Sequence, residues 1–404
     1  MPAHSAAIIL LDLIGFNLMI SVLAINNYRS ILDLKVPLSQ LNVITGANGS
    51  GKSNIYRALR LLSQTVTGGV VKALAQEGGL NSTFWAGPET LSKAMQKAEA
   101  AIEGSVRKKA VRMRLGFSTP ELGYAISMGL PAPSSSVFSL DPEIKRECIW
   151  AGPCLRPASL LVDRVGPIVK VRSSRTWEVV DQHLNVFESL FSQIGNIKDT
   201  PEIIYVREFI RNWRFYDHFR SDRESPARKT QIATRTPVLS NEGDDLAAAL
   251  QTIKEIGDSE ALDKAISNAF PGTKLVITRH EGGYLSVGLS QQGLLRPLTC
   301  AELSDGTLRY LLLVAALLTP RPPKLLILNE PETSLHPDLL PALANLILHV
   351  SGKTQVWVVS HADLLINSLK QYPECHLIAL EKQTGQTTIP GQSLLDIPPW
   401  YWPD

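Results

Sequence analysis

The sequence predicts a two-lobed α/β protein: a parallel core sheet, an antiparallel β part and a helical lobe. Three observations predict it. Beyond residue 307, helical and strand-like runs alternate in "LRYLLLVAALL", "KLLILN", "PDLLPALANLILHV", "QVWVVS", "ADLLINSLK" and "CHLIALE". That alternation is the pattern of parallel strands joined by right-handed crossovers. Near the other end, the strand-like "LNVIT" runs directly into a glycine-rich turn and the helical "IYRALRLL". Between these regions, short β runs punctuated by Gly and Pro give way to a long helical stretch.

Composition permits such a fold and narrows its partners. The 404 residues are 44% hydrophobic and 19% charged, a globular composition with material for two or three folding units. A formal net charge of +2 demands no polyanionic partner, so any nucleic-acid site must be a local patch. The four cysteines, Cys148, Cys154, Cys300 and Cys375, are too few and scattered for a disulfide framework. Cys148 and Cys154 lack zinc-site spacing, and a reduced, cytoplasmic compartment is expected.

Taken in order, the chain opens with "AAIILLDLIGFNLMISVLAI", apolar enough to imitate a membrane segment. Asp12 and Asn17 interrupt it and no Lys or Arg precedes it, so residues 1–18 are expected to be an extension and no membrane is expected as a partner. "SVLAIN", "ILDLKVPL" and "LNVIT" then read as strands, and residues 90–104 as helix-prone. "AVRMRLGFS", "YAISMGL", "ECIWAGP", "SLLVDR" and "PIVKVRS" suggest an antiparallel sheet. From residue 177 to about 270 the pattern turns helical, and "KLVITRH" and "YLSVGLS" follow as a hairpin across Gly282 and Gly283.

Four stretches carry the chemistry. In "ITGANGSGKSN", Gly46, Gly51, Lys52 and Ser53 fit G-x-x-x-x-G-K-[ST] between a strand and a helix. Such glycines let backbone N–H groups turn inward, the helix N-terminus adds positive potential, Lys52 reaches the β- and γ-phosphates and Ser53 binds magnesium. In "KLLILNEPETSLHP" an apolar strand stops at Asn329 and Glu330, where a carboxylate can orient and deprotonate an attacking water. Asn329 stands where Asp is usual, keeping an oxygen but losing the charge. In "ELSDGTLRYLLLVAALL", Ser304 and Gly306 open a buried helix, which reads either as an N-cap or as a second anion site. In "VVSHAD", His361 follows a core strand, either as a packed residue or as a donor to the γ-phosphate.

"GANGSGKSN", "LSDGTLRYL", "LLILNEPETSLHP" and "VVSHAD" together resemble ATP-binding-cassette ATPase heads, over roughly residues 19–380. The resemblance is nearest to the RecF, SMC and OLD-like group, and within it to stand-alone bacterial predicted AAA-family ATPases. "INNYRSI" and "WRFYDHFR" also look like features of that subgroup. It implies a P-loop NTPase fold and a homodimer that sandwiches ATP with Mg2+. Gly46, Asn48, Gly49, Ser50, Gly51, Lys52, Ser53 and Asn54 would bind nucleotide in one subunit, while the partner's copies of Ser304 and Gly306 cap the γ-phosphate. Ser53 and Asn329 would hold the metal. Glu330, Lys52 and His361 would be catalytic, and residues 334–336 would pass signals between sites. No glutamine loop is assigned. The implied boundaries are the extension at 1–18, the nucleotide-binding lobe at 19–175 and 273–404, and the helical lobe at 176–272.

The resemblance also implies DNA or an effector protein as partner, in DNA repair or anti-phage defence. A slow ATP sensor that docks an effector is the alternative. OLD-like relatives carry a nuclease domain after the head, but "GQSLLDIPPWYWPD" offers two separated Asp residues and no metal constellation. In "YVREFIRNWRFYDHFRSDRESPARK", Arg207, Arg211 and Arg214 are expected on one helical face, either contacting phosphate or paired with Glu208, Asp217 and Asp222. Arg107, Lys108, Lys109, Arg112 and Arg114 form a weaker basic cluster.

Overall fold

The structure of the protein, a computed structural model, describes residues 19–88, 111–133, 135–138, 140–174, 176–195, 200–393 and 395–403. The expected extension, the helix-prone stretch at 90–104, and Arg107, Lys108 and Lys109 lie outside these residues. The chain divides into two units: Met1–Ser39, Thr45–Trp213 and Ile378–Asp404 form the first, Gln40–Ile44 and Arg214–Leu377 the second. This division cuts through the expected helical lobe rather than bounding it.

In the first unit, β1 (Val22–Tyr28) and β2 (Ile31–Pro37) form a hairpin. β3 (Leu41–Gly46) is shared with the second unit, and α1 (Lys52–Gln64), α2 (Val70–Gln76) and α3 (Leu80–Thr83) follow. β4 (Arg112–Ser118), β5 (Leu122–Gly129), β6 (Glu143–Ala151), β7 (Leu160–Val165), β8 (Ile168–Ser173) and β9 (Thr176–Asp181) complete an eight-stranded sheet. Its order is β2-β1-β4-β5-β6-β7-β8-β9 and its pairings are antiparallel, as the short β runs predict. Trp150 packs edge-on to Trp400 at 5.4 Å, and Gly123 leaves room for the Trp150 ring, so the C-terminal tail is tied to this sheet. α4 (Leu190–Gln193) and α5 (Pro201–Arg211) end the unit's middle segment.

In the second unit, β10 (Trp213–Tyr216), β11 (Gln231–Ile232), α6 (Leu246–Ile256) and α7 (Ser259–Ala269) precede β12 (Thr273–His280), β13 (Tyr284–Gln291) and β14 (Leu298–Thr299). β12 and β13 pair antiparallel across Gly282 and Gly283, both at positive φ. Then come α8 (Asp305–Leu317), β15 (Leu325–Asn329), α9 (Leu340–Ser351), β16 (Gln355–Val359) and α10 (Asp363–Lys370). β17 (Cys375–Gln383) runs back into the first unit, where it pairs antiparallel with β18 (Gln386–Thr388).

β15, β16 and β3 are parallel neighbours, as the alternation of helix and strand requires. Leu325, Leu326, Ile327 and Leu328 of β15 are all buried, the continuous apolar run of a strand covered on both faces. All ten residues from 308 to 317 are buried too, and apart from Arg309 α8 is apolar around its circumference because it lies inside the core.

Two stretches depart from the expected helical pattern. Residues 176–181, "TWEVVD", form edge strand β9, whose aromatic and β-branched side chains suit a pleated surface. The helix through "YVREFIR" stops at Arg211, and "WRFY" becomes β10, with Trp213 and Tyr216 buried. Arg214 therefore leaves the helical face of Arg207 and Arg211. Arg207 donates to the carbonyls of Phe191 and Ile194, and Glu208 lies beside both Arg207 and Arg211. These are local pairings. Among the described residues, no helix is long and apolar enough to cross a membrane.

Candidate functional site

The first unit carries the glycine-rich loop. Gly46, Gly49 and Gly51 all hold positive φ, at 148°, 80° and 108°, which only glycine adopts without strain. A Cβ on Gly46 would strike the Leu380 carbonyl, and one on Gly51 would strike Thr387, whereas Gly49 has nothing within 4 Å of that position. The loop is thus pinned at two points and open between them. Asn48 and Gly49 are exposed, and Gly51 is the N-cap of α1.

Lys52 is buried, and its Nζ donates to the Gly46 carbonyl at 2.6 Å and to that of Ala47 at 3.2 Å. The ammonium is therefore held over the loop. Ser53, next on the helix, is exposed. Ser50 Oγ is buried without a partner, a hydroxyl available to an anion seated in the loop. These features fit a polyphosphate.

A chain of side-chain hydrogen bonds behind the loop supports it. Asn54 Nδ2 donates to Ser30 Oγ at 2.7 Å, Ser30 Oγ pairs with Thr387 Oγ1 at 2.6 Å, and Thr387 Oγ1 donates to the Ser50 carbonyl at 2.9 Å. Sequence reading found Asn54 but neither Ser30 nor Thr387. Their distance along the chain hides them, because strand pairing alone brings Thr387 back to residue 50.

The second unit carries the acidic edge. Asn329, Val359 and Ile44 stand in register across β15, β16 and β3, and the loop begins on the residues that follow Ile44. Glu330 N donates to the Val359 carbonyl at 2.8 Å, and Ser360 N to that of Ile44 at 3.0 Å. Beyond the ladder, Glu330 adopts φ 48°, a left-handed conformation that costs a non-glycine residue stability and recurs at functional sites. Its half-exposed carboxylate lies 3.9 Å from His361 Nδ1. The structure thus brings Glu330 and His361 together at the carboxyl edge of the sheet. Asn329 is part-buried beside them and offers an amide oxygen, a donor type that suits a hard cation.

Two residues missed by sequence reading hold this edge. Glu332, 8% exposed, accepts at Oε1 from Ser360 Oγ, His361 N and Ala362 N. Arg309, 1% exposed on α8, donates to His218 Nδ1 at 2.9 Å and to the Glu330 carbonyl at 3.3 Å. Burial pulls its guanidinium below the ordinary value, against the opposing influence of Glu332 and Glu330. Glu332 lies inside the quoted "NEPETSLHP", and its position after Pro331 gives no sign of burial. Arg309 interrupts an otherwise apolar helix, and that interruption is a readable signal.

Ser304 caps α8, its Oγ accepting from Thr307 N at 3.2 Å. The N-cap reading holds, and the exposed hydroxyl remains on the surface. Gly306 lies so near the loop after β15 that a Cβ would sit 2.9 Å from the Ser334 carbonyl. Asp305 pairs with Arg228, which also donates to the Cys300 and Leu303 carbonyls and so fixes the approach to the helix.

With this geometry in view, comparison with solved structures finds Smc heads. One is the SmcHead bound to the C-winged helix domain of ScpA, at 15% identity and TM-score 0.48, covering 93% of this chain and 99% of that one. Another is the Smc head domain with an extended coiled coil bound to the C-terminal domain of ScpA from Pyrococcus furiosus, at 13% identity and TM-score 0.47, covering 94% and 97%. The SMC head domain from Thermotoga maritima is similar at 14% identity and TM-score 0.43, covering 93% and 100%. No curated protein matches the chain. A family model described as "AAA domain, putative AbiEii toxin, Type IV TA system" matches residues 41–367, which takes in the glycine-rich loop, the acidic edge and His361, and the chain belongs to that AAA family.

Proposed function

We propose that the protein is a magnesium-dependent ATPase that dimerises head to head around ATP. It acts as a conformational switch in DNA repair or anti-phage defence, on DNA or an effector protein. The observation that carries the hydrolytic reading is the pairing of a left-handed Glu330 with His361, 3.9 Å apart, at the end of a buried parallel strand.

In this reading the loop from Gly46 to Ser53 binds the phosphates, with Lys52 neutralising charge on the β- and γ-phosphates. Ser53 and Asn329 would hold a magnesium ion, which when bound would offset charge on the phosphate oxygens. Glu330 orients a water and takes its proton as the oxygen attacks the γ-phosphorus. The bond to the β-phosphate oxygen breaks, and ADP and inorganic phosphate leave. His361 donates a hydrogen bond to the γ-phosphate, and Ser304 and Gly306 of a second copy cap it. Positioning and charge neutralisation supply most of the rate.

Asn329 favours a second reading, because a neutral amide binds magnesium less strongly than a carboxylate. There the protein is a slow ATP sensor that docks an effector when ATP is bound. Phosphate release separates the two. Under the ATPase reading, wild type outpaces both Lys52→Ala and Glu330→Gln by about 10²-fold or more. Wild-type turnover no faster than Lys52→Ala leaves only the sensor.

A further inference from the structure

Glu332 has a chemical environment that a turn-stabilising residue does not need. Its Oε1 is held at 2.7 Å by Ser360 Oγ, at 2.9 Å by His361 N and at 3.3 Å by Ala362 N. The same oxygen lies 3.4 Å from His361 Nδ1. The backbone and the imidazole of His361 are therefore both referenced to one buried atom. Glu332 Oε2 is also buried, yet has no hydrogen-bond partner. A bare, buried carboxylate oxygen is costly to keep without a partner. Arg309 Nε is likewise buried without a partner, while the rest of that guanidinium grips His218 and the Glu330 carbonyl. The charge of Glu332 acts on Arg309 as well as lying beside His361.

We propose that Glu332 is a positioning residue for the reaction, fixing the His361 ring and the turn at 360–362 through its buried carboxylate. This inference rests on the hydrolytic reading of Glu330 and His361. The carboxylate beside Nδ1 sets the ring plane, and its bond to His361 N fixes the backbone that carries the ring. The three donors on Oε1 keep the carboxylate from rotating away. Arg309 does for the Glu330 peptide what Glu332 does for His361, holding the carbonyl of a residue at φ 48°.

The test is a double-mutant cycle read by phosphate release, with binding of a fluorescent ATP analogue and thermal unfolding measured alongside. Glu332→Gln keeps the shape and an acceptor oxygen but removes the charge. It should lower kcat about 10-fold or more while changing nucleotide affinity by less than about 2-fold. On a His361→Ala background the same substitution should cost less than about 2-fold, because its target is gone. Ser360→Ala is a milder second variant that loosens the carboxylate without removing it. It should cost about 2- to 5-fold, and again nothing on the His361→Ala background. A wild-type kcat in Glu332→Gln, or an equal loss with and without His361, overturns the inference alone. Wild-type turnover no faster than Lys52→Ala overturns the hydrolytic reading and this inference with it.

Discussion

Gly51 shows how closely the loop is built. Its φ of 108° lies in a region that L side chains rarely adopt, and a Cβ there would run into Thr387. Substitution therefore strains the backbone and displaces the hydroxyl that supports the Ser50 carbonyl. Gly51→Ala is expected to cost about 1–3 kcal/mol. Nucleotide affinity should fall with it, because the N-terminus of α1 loses its alignment. Titration with a fluorescent ATP analogue, together with urea unfolding, checks both. Unchanged affinity in a folded variant would show that Thr387 does not set the loop. The loop glycines were legible in the sequence because they fall in a G-x-x-x-x-G-K-[ST] pattern between a strand and a helix, where the positive φ of the turn favours glycine. Thr387 and Ser30 were not, since a threonine in a three-residue strand carries no mark of what it touches.

At the scale of elements, hydrophobic pattern identified β15, β16 and α8, whose burial is nearly total and whose sequences are accordingly apolar. It failed where tertiary pairing overrode local pattern. The segment from Tyr205 to Tyr216 has helical spacing throughout, yet the chain breaks after Arg211 and Trp213 buries against Phe117, at 5.3 Å between ring centres. β9 is exposed at all six positions and so offers no alternation of buried and exposed residues to read. The eight-stranded sheet holds a further hidden element, the ion pair of Arg164 and Glu147, both fully buried and 2.6 Å apart. Tyr124 and Ser189 complete the Glu147 carboxylate, and Arg164 also binds the Gly166, Asn185 and Glu188 carbonyls. Removing one partner strands the other charge. Arg164→Ala should therefore destabilise the first unit by about 3–5 kcal/mol. Chemical unfolding should show an earlier transition, and a wild-type midpoint would mean that the pair is not part of the folded core.

At the scale of the whole molecule, the proposed dimer gives Ser304 a role beyond its own helix. The N-terminus of α8 carries an exposed Ser304 hydroxyl, and Gly306 closes on the loop after β15. A serine that only capped its helix would be interchangeable with Asp or Asn. A serine that also meets the γ-phosphate of another copy would not, since a carboxylate there repels the anion. In the proposed dimer ATP would hold two heads together, and its cleavage would release them. Glu330→Gln should bind ATP without cutting it, and with magnesium it should elute from size-exclusion chromatography at twice the monomer mass. Adding Ser304→Asp should return it to monomer while leaving ATP binding to the isolated chain intact. A Glu330→Gln chain that stays monomeric at saturating ATP and magnesium defeats the sandwich. A dimer that survives Ser304→Asp shows that the copies meet through some other surface.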